Sequence, residues 1–425
     1  MTEVTQPRMA RGTKPFAGIL ATALFALLAF APFASAAPDP VASGTTTITL
    51  KSSVVKAWKK RGVTLSKVSP ATLKGSKATF PVTGGSLDPV TAAGIVNHSG
   101  GLKFKAGKKS TTVKELVIDT TKSSVTASVG GKKMKFAKIA GFSFARNGFG
   151  VNLTVKALKL TGSAAKQLNK KLGYTGKKKK GKAKGNKRAA ASKVTSPPFK
   201  ANQAFGSSAS ETQPSTVTIL PGGNATLALS ASALQKLQEV GPPPGPGPGP
   251  FSVQLSTVAP TTVVAPGPPP TIAFPIGGGT ISPAGSAGTV QTLGGLKLVQ
   301  DLELAPPPGT RGVTTLTLGN VWVDMAAKTA TVEVIITNPK TAAANLGNLG
   351  RVSIADISLA GATISSDPVN HTVSVQNASA TLQPVTAETL NLVFINEIEK
   401  ATGEPQNKFA AGDPLGTFSF TVQTQ

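Results

Sequence analysis

The sequence predicts a mainly β protein: two tandem β-sandwich or barrel-like units, each with one or two short helices. Three observations predict it. Forty-five glycines and 33 prolines punctuate short runs rich in Thr, Val and Ser, the composition of strands joined by many turns. Several runs alternate apolar and polar residues, the period of a half-buried strand. The third observation is an internal repeat. Phe80 to Phe104 reads FPVTGGSLDPVTAAGIVNHSGGLKF and Phe274 to Leu298 reads FPIGGGTISPAGSAGTVQTLGGLKL, twelve identities in twenty-five positions without a gap. Outside this block the order of matching segments is kept. VIDTTKSSVTASV from Val117 answers WVDMAAKTATVEV from Trp322, IAGFSF from Ile139 answers IADISL from Ile354, and FKANQAFGSS from Phe199 answers FAAGDPLGTF from Phe409. One unit is therefore written twice, over residues 37–213 and 214–425.

Residues 1–36 read as a secretory signal peptide rather than as fold. Arg8, Arg11 and Lys14 precede an apolar run from Phe16 to Phe33, and Ala34-Ser35-Ala36 offers small residues for cleavage after Ala36. No later apolar stretch is long enough for a transmembrane helix. The expected location is secreted or envelope-associated. The chain has no cysteine, so each unit has to stand on its own core without disulfides.

Within unit one, TTTITL alternates as a strand. Ser52 can cap a short helix that sets Val54, Val55 and Trp58 on one face. GLKFKA, KELVID, SVTASV, KMKFAKI and GVNLTVKALKL follow as strands between turns. Thr161 then caps a second helix with Ala164, Ala165, Leu168 and Leu172 on one face, ended by Gly173. The glycines Gly84, Gly85, Gly94, Gly100 and Gly101 recur as Gly278, Gly279, Gly288, Gly294 and Gly295. Tight turns and bulges account for them, and no phosphate-binding fingerprint accompanies them.

Two insertions decorate the repeat. GPPPGPGPGP, near 241–250, is expected to be an extended spacer in unit two. A lysine-rich insert near 175–198 lies in unit one and is expected to be disordered, since Lys, Gly and Asn without apolar residues cannot pack. The charge is lopsided. Residues 37–169 carry 22 Lys/Arg against 4 Asp/Glu, residues 170–200 carry 12 Lys/Arg and no acid, and residues 201–425 carry 8 Lys/Arg against 13 Asp/Glu. Lys177, Lys178, Lys179, Lys180, Lys182, Lys184, Lys187 and Arg188 form the candidate polyanion site. A signal peptide argues against nucleic acid as the physiological partner, and no aromatic residues interleave the lysines to stack bases. Anionic cell-wall polymers or lipid headgroups are the expected partners. A solvated loop that only aids solubility is the bland alternative.

Signals for catalysis are weak. The chain has no cysteine and only two histidines, His98 and His371, so nucleophile–histidine arrangements have little to work with. Asp119 and Asp324 occupy the same place in the repeat, just before a turn, where Asp serves structure. No histidine or cysteine pair has metal-ligand spacing. The chain is read as a non-enzyme, with an exported hydrolase of unrecognised site as the least favoured class. His98, between Asn97 and Ser99 and before two glycines, is either a strand residue or a ligand beside pliable backbone.

The segments FPVTGGSLDPVTAAGIVNHSGGLKF, VIDTTKSSVTASV and LTGSAAKQLNKKLG resemble the HtaA (haem-transport-associated) domain family of actinobacterial exported proteins. The resemblance covers both units. It implies a mostly β, surface-located protein that captures haem, or exchanges it with a haem-carrying protein, through a tyrosine and a histidine. Carried over, His98 falls on the family histidine. The helix that bears the family tyrosine reads SSVVKAWKKRG here, with Trp58 in place of a tyrosine. Trp58 would stack on the porphyrin, and Lys59 and Arg61 would meet its propionates. Unit two has Thr292 where His98 would be. Haem binding by unit one and an envelope-associated polyanion-binding or structural module are the two functions carried forward.

Overall fold

The computed structural model describes residues 38–174, 196–240, 251–267, 269–305 and 307–425. Residues 1–36, expected from the sequence to be a signal peptide, nearly all of the lysine-rich insert and the Pro/Gly-rich insert 241–250 lie outside these residues. The chain forms two closed eight-stranded barrels with extra strands and a few short helices.

In the first barrel Lys109–Asp119, Gly94–His98, Lys77–Leu87, Asp39–Leu50, Ala204–Pro214, Gly150–Leu160, Lys132–Ile139 and Ser124–Val129 are neighbours in that order. Pairing of Lys109–Asp119 with Ser124–Val129 closes the ring. The second barrel repeats the circuit with Val313–Asp324, Gly288–Thr292, Thr271–Ile281, Asn224–Leu229, Pro414–Gln423, Thr372–Leu382, Gly347–Ser358 and Thr329–Thr337, closed by Val313–Asp324 against Thr329–Thr337. Every pairing is antiparallel, so alternate side chains point inward. Ile48, Phe80, Ile118 and Leu153 fill the first interior, and Ile272, Phe274, Ile281 and Phe420 the second.

The repeated glycines serve this closure. Gly85 and Gly279 have φ of +136° and +120°. A Cβ there would lie 2.2 Å from the Ile95 carbonyl oxygen and 2.0 Å from that of Thr289, so only glycine lets these strands pair so closely. Asp119 accepts the Lys122 backbone N–H at 2.7 Å, and Asp324 accepts those of Ala326 and Ala327. Both carboxylates build turns.

The helix Ser52–Lys60 buries Val54 and Trp58, but its N-cap is Lys51, and no side chain caps it. The helix Gly162–Leu172 has Thr161 as N-cap, accepting the Ala164 N–H, and Gly173 in the left-handed conformation at its end. The second barrel carries the helix Ala231–Gln238, capped by Ser230. It also carries a run from Pro384 to Thr402 whose middle, Asn391–Ile395, is a π-helical turn. Among the described residues no helix is long and apolar enough to cross a membrane.

One segment match shifts. The Ile139 N–H bonds the Ser123 carbonyl as the Ile357 N–H bonds that of Lys328, so Ile357, not Ile354, is the counterpart of Ile139. Phe136 answers Ile354: their carbonyls accept the N–H groups of the helix-capping residues Thr161 and Gln383.

The barrels also touch. Asp39 Oδ1 accepts the Thr218 N–H at 3.2 Å. Arg146 donates to His371 Nδ1 at 3.0 Å and to the Gln425 carbonyl at 2.7 Å. Phe149, from the first barrel's Asn147–Gly150 turn, is buried in the second barrel's core cluster, edge-on to His371.

Candidate functional site

His98 ends the strand Gly94–His98 and points into the first barrel, 5% exposed. Nδ1 lies 2.9 Å from the Leu116 carbonyl oxygen, and Nε2 lies 2.6 Å from Thr46 Oγ1, which is 2.7 Å from Ser210 Oγ. A carbonyl only accepts, so Nδ1 carries the proton. Burial lowers the imidazole pKa to about 4, against a smaller raising effect of the Leu116 bond; the ring is neutral at pH 7.

The second barrel shows what this position does. Thr292 faces Ile276 as His98 faces Val82. Its hydroxyl donates to the Val321 carbonyl at 2.8 Å, and Val321 is the repeat counterpart of Leu116. The same strand-to-strand bond is thus made by histidine in one barrel and threonine in the other. Ala225 and Phe420, a register pair like Thr46 and Ser210, replace the remaining polar groups.

Trp58 is buried between Phe104, at 5.8 Å between ring centroids, and Phe199, at 5.1 Å. Among the described residues its Nε1 has no hydrogen-bond partner. The space beside these rings is a cavity of about 20 Å³, walled by Trp58, Phe104, Phe136, Phe199 and Phe205 among others. Lys59 is exposed at the end of the helix. Arg61 donates to the Ser196 carbonyl and hydroxyl and to the Ala57 carbonyl, and its own carbonyl accepts the Tyr174 hydroxyl. These residues do not fit an iron porphyrin in this arrangement. Both nitrogens of His98 are engaged, the Trp58 ring packs against Phe104 and Phe199, and the cavity is far smaller than a macrocycle.

The candidate polyanion residues Lys177, Lys178, Lys179, Lys180, Lys182, Lys184, Lys187 and Arg188 lie outside the described residues. The described part of the first barrel is itself strongly basic. On the strand Gly101–Ala106, Leu102 and Phe104 face inward while Lys103 and Lys105 face solvent. Lys132, Lys133, Lys135 and Lys138 project from Lys132–Ile139, and Lys166, Lys170 and Lys171 from the helix Gly162–Leu172. Among the described residues of this barrel, one lysine forms an ion pair, Lys122 with Asp119 at 3.4 Å. The other ion pairs, such as Lys236–Asp413 at 2.6 Å and Arg351–Glu333 at 3.0 Å, lie in the second barrel. No group of three or more metal-ligating side chains occurs among the described residues.

Sequence reasoning missed a chamber in the second barrel. It has a volume of about 150 Å³ and lies beneath the helices Ala231–Gln238 and Pro384–Leu390. Only the alignment of the two repeats at single core positions could have signalled it.

No protein-family profile matches the sequence, and no curated protein matches it. Solved structures with some likeness include the C-terminal domain of HtaA from Corynebacterium glutamicum, at 9% identity and a TM-score of 0.29, covering 41% of this chain and 98% of that one. The haem-binding protein HtaB from the same organism matches at 14% identity and a TM-score of 0.30, covering 49% of this chain and 96% of that one. At these scores neither likeness bears on what this chain binds.

Proposed function

We propose that the chain is an exported, non-enzymatic binding protein of the cell envelope, held to anionic wall polymers or lipid headgroups by its first barrel. The observation that carries this reading is the basic surface of that barrel: 22 Lys/Arg stand against 4 Asp/Glu over residues 37–169, and among the described residues of the barrel a single carboxylate pairs with a lysine. Cations without internal counter-charges gain most from an external polyanion and release its counterions on binding. The lysine-rich insert follows Tyr174 in the chain and adds further positive charge to this unit. Co-sedimentation of the mature chain with phosphatidylglycerol vesicles and with isolated cell wall tests it. Binding to at least one at 0.15 M salt, released at about 1 M where charges are screened within ~3 Å, is expected. It should weaken when Lys103, Lys105 and Lys135 become Glu. Binding that ignores both salt and charge reversal would sink the reading.

The resemblance of Gly94 to Phe104 favours a second reading, haem capture by unit one. His98 would have to leave Thr46 and Leu116, and Trp58 would have to leave its phenylalanines. Haemin titrated into the mature chain and into His98→Thr decides it. A saturable, shifted Soret band lost in the variant would establish haem ligation, and equal featureless spectra would leave the basic surface as the functional lead.

A further inference from the structure

Among the described residues, the corresponding place in the first barrel holds a far smaller space than the chamber of the second. Twenty-one of the described residues wall it, thirteen of them leucine, and the hydroxyls of Thr386 and Thr389 are the polar side-chain groups among them. Ala233, Leu234 and Leu237 roof it from the helix Ala231–Gln238. A second cavity, of about 60 Å³, shares Leu227, Leu296, Leu318, Ile354 and Leu415 with it and reaches inward to Phe274 and Phe418. The apolar space is therefore elongated, running from a rim toward the barrel interior. At the rim Leu349 and Val385 are 44% and 51% exposed.

Four positions account for the difference between the barrels. The Lys51 N–H bonds the Phe205 carbonyl, and the Ser230 N–H bonds that of Leu415, so Phe205 answers Leu415. Counting along each helix from its cap, Lys51 or Ser230, Trp58 answers Leu237. Phe104 answers Leu298 within the long repeat match, and Phe136 answers Ile354. In each case an aromatic ring that fills the first barrel is an aliphatic side chain in the second. The first barrel keeps about 20 Å³ at this place and the second about 150 Å³.

Interiors are close-packed, and an unfilled apolar void destabilises in proportion to its volume. A dry cavity of about 150 Å³ lined by Leu, Ile and Phe takes up small hydrocarbons. Nothing in this wall can ligate iron, and almost nothing can satisfy a polar ligand atom, so a polar group would stay outside. We propose that the chamber takes the end of a straight aliphatic chain, such as the fatty acyl tail of a lipid, with its head group beyond the rim. The site is independent of the charge on the first barrel.

The test uses the mature chain with cis-parinaric acid, whose fluorescence rises on entering an apolar site, and palmitate as competitor. Saturable 1:1 uptake displaced by palmitate is expected. Leu298→Phe combined with Leu237→Trp restores the first barrel's rings and should weaken uptake at least tenfold without lowering the melting temperature. Should that double variant fail to fold, Leu349→Lys at the exposed rim should weaken uptake severalfold. No saturable uptake by the native chain, uptake unchanged in the variants, or displacement by haemin but not by palmitate would overturn the proposal.

Discussion

Arg61 is bound to Ser196, through Nε to the carbonyl at 3.1 Å and through Nη2 to the hydroxyl at 3.2 Å. The Tyr174 hydroxyl donates to the Arg61 carbonyl. Tyr174 and Ser196 flank the lysine-rich insert, so one arginine at the end of the first helix ties both of its ends to the barrel. Tyr174→Phe removes one such bond and should cost about 1 kcal/mol, read as a lower urea midpoint with an unchanged slope. No change would mean that the hydroxyl is satisfied equally well by water.

Acid sensitivity should centre on His98. Its folded pKa of about 4 lies below the value of 6.5 usual for histidine, so between these the unfolded chain binds more protons. Stability from this group is full above pH 6.5 and is lost as the pH falls toward 4, by up to about 3 kcal/mol. His98→Thr copies Thr292 and keeps a bond to the Leu116 carbonyl. The variant should be less stable than the native chain at pH 7.5, and the gap should narrow or reverse by pH 4.5. A gap constant with pH would place the proton elsewhere.

Asp39 should act with the opposite sign. Burial pushes its pKa up from 3.8 to about 6, outweighing the lowering effects of the Thr218 bonds and of Arg146. A folded pKa raised in this way gives stability that is present below pH 3.8 and lost as the pH rises through 6. Asp39→Asn can keep the Oδ1 contact to the Thr218 N–H. Relative to the native chain, its melting temperature should rise between pH 4 and pH 7.

Phe149 joins the barrels through packing. Phe149→Ala should cost roughly 3–5 kcal/mol, as for other buried phenylalanines. Because the ring belongs to the second barrel's core but to the first barrel's chain, calorimetry should show the two barrels melting apart. A single, merely lowered transition would show that Asp39 and Arg146 suffice to couple them.

Phe104→Leu places the second barrel's residue in the first. It should open a cavity beside Trp58 and cost roughly 1–2 kcal/mol, measured by urea unfolding. A neutral outcome would mean that Trp58 and Phe199 close over the gap.

Much of the fold was legible because its signals are local. GLKFKA, SVTASV and GVNLTVKALKL alternate, and they are the strands Gly101–Ala106, Ser124–Val129 and Gly150–Leu160. Thr161 starts a helix through its hydroxyl and Gly173 ends it through a left-handed backbone. The misplaced partner of Ile139 arose where the second unit inserts residues between its strands Thr329–Thr337 and Gly347–Ser358, which a match on the Ile-Ala pair cannot register. The environment of His98 was not legible, since Thr46, Leu116 and Ser210 come from three distant strands. Nor was the chamber, because it depends on ring-for-leucine exchanges at positions that meet only after closure.

Closure has a further consequence for durability. A row of unbonded backbone groups on an open sheet is a template for another chain. Each eight-stranded ring returns to its first strand and offers no such row along its wall. With no cysteine to cross-link it, each ring's wall relies on this topology to avoid pairing with another chain. Loss of one wall strand would expose two edges at once, so its failure under stress should be abrupt rather than gradual.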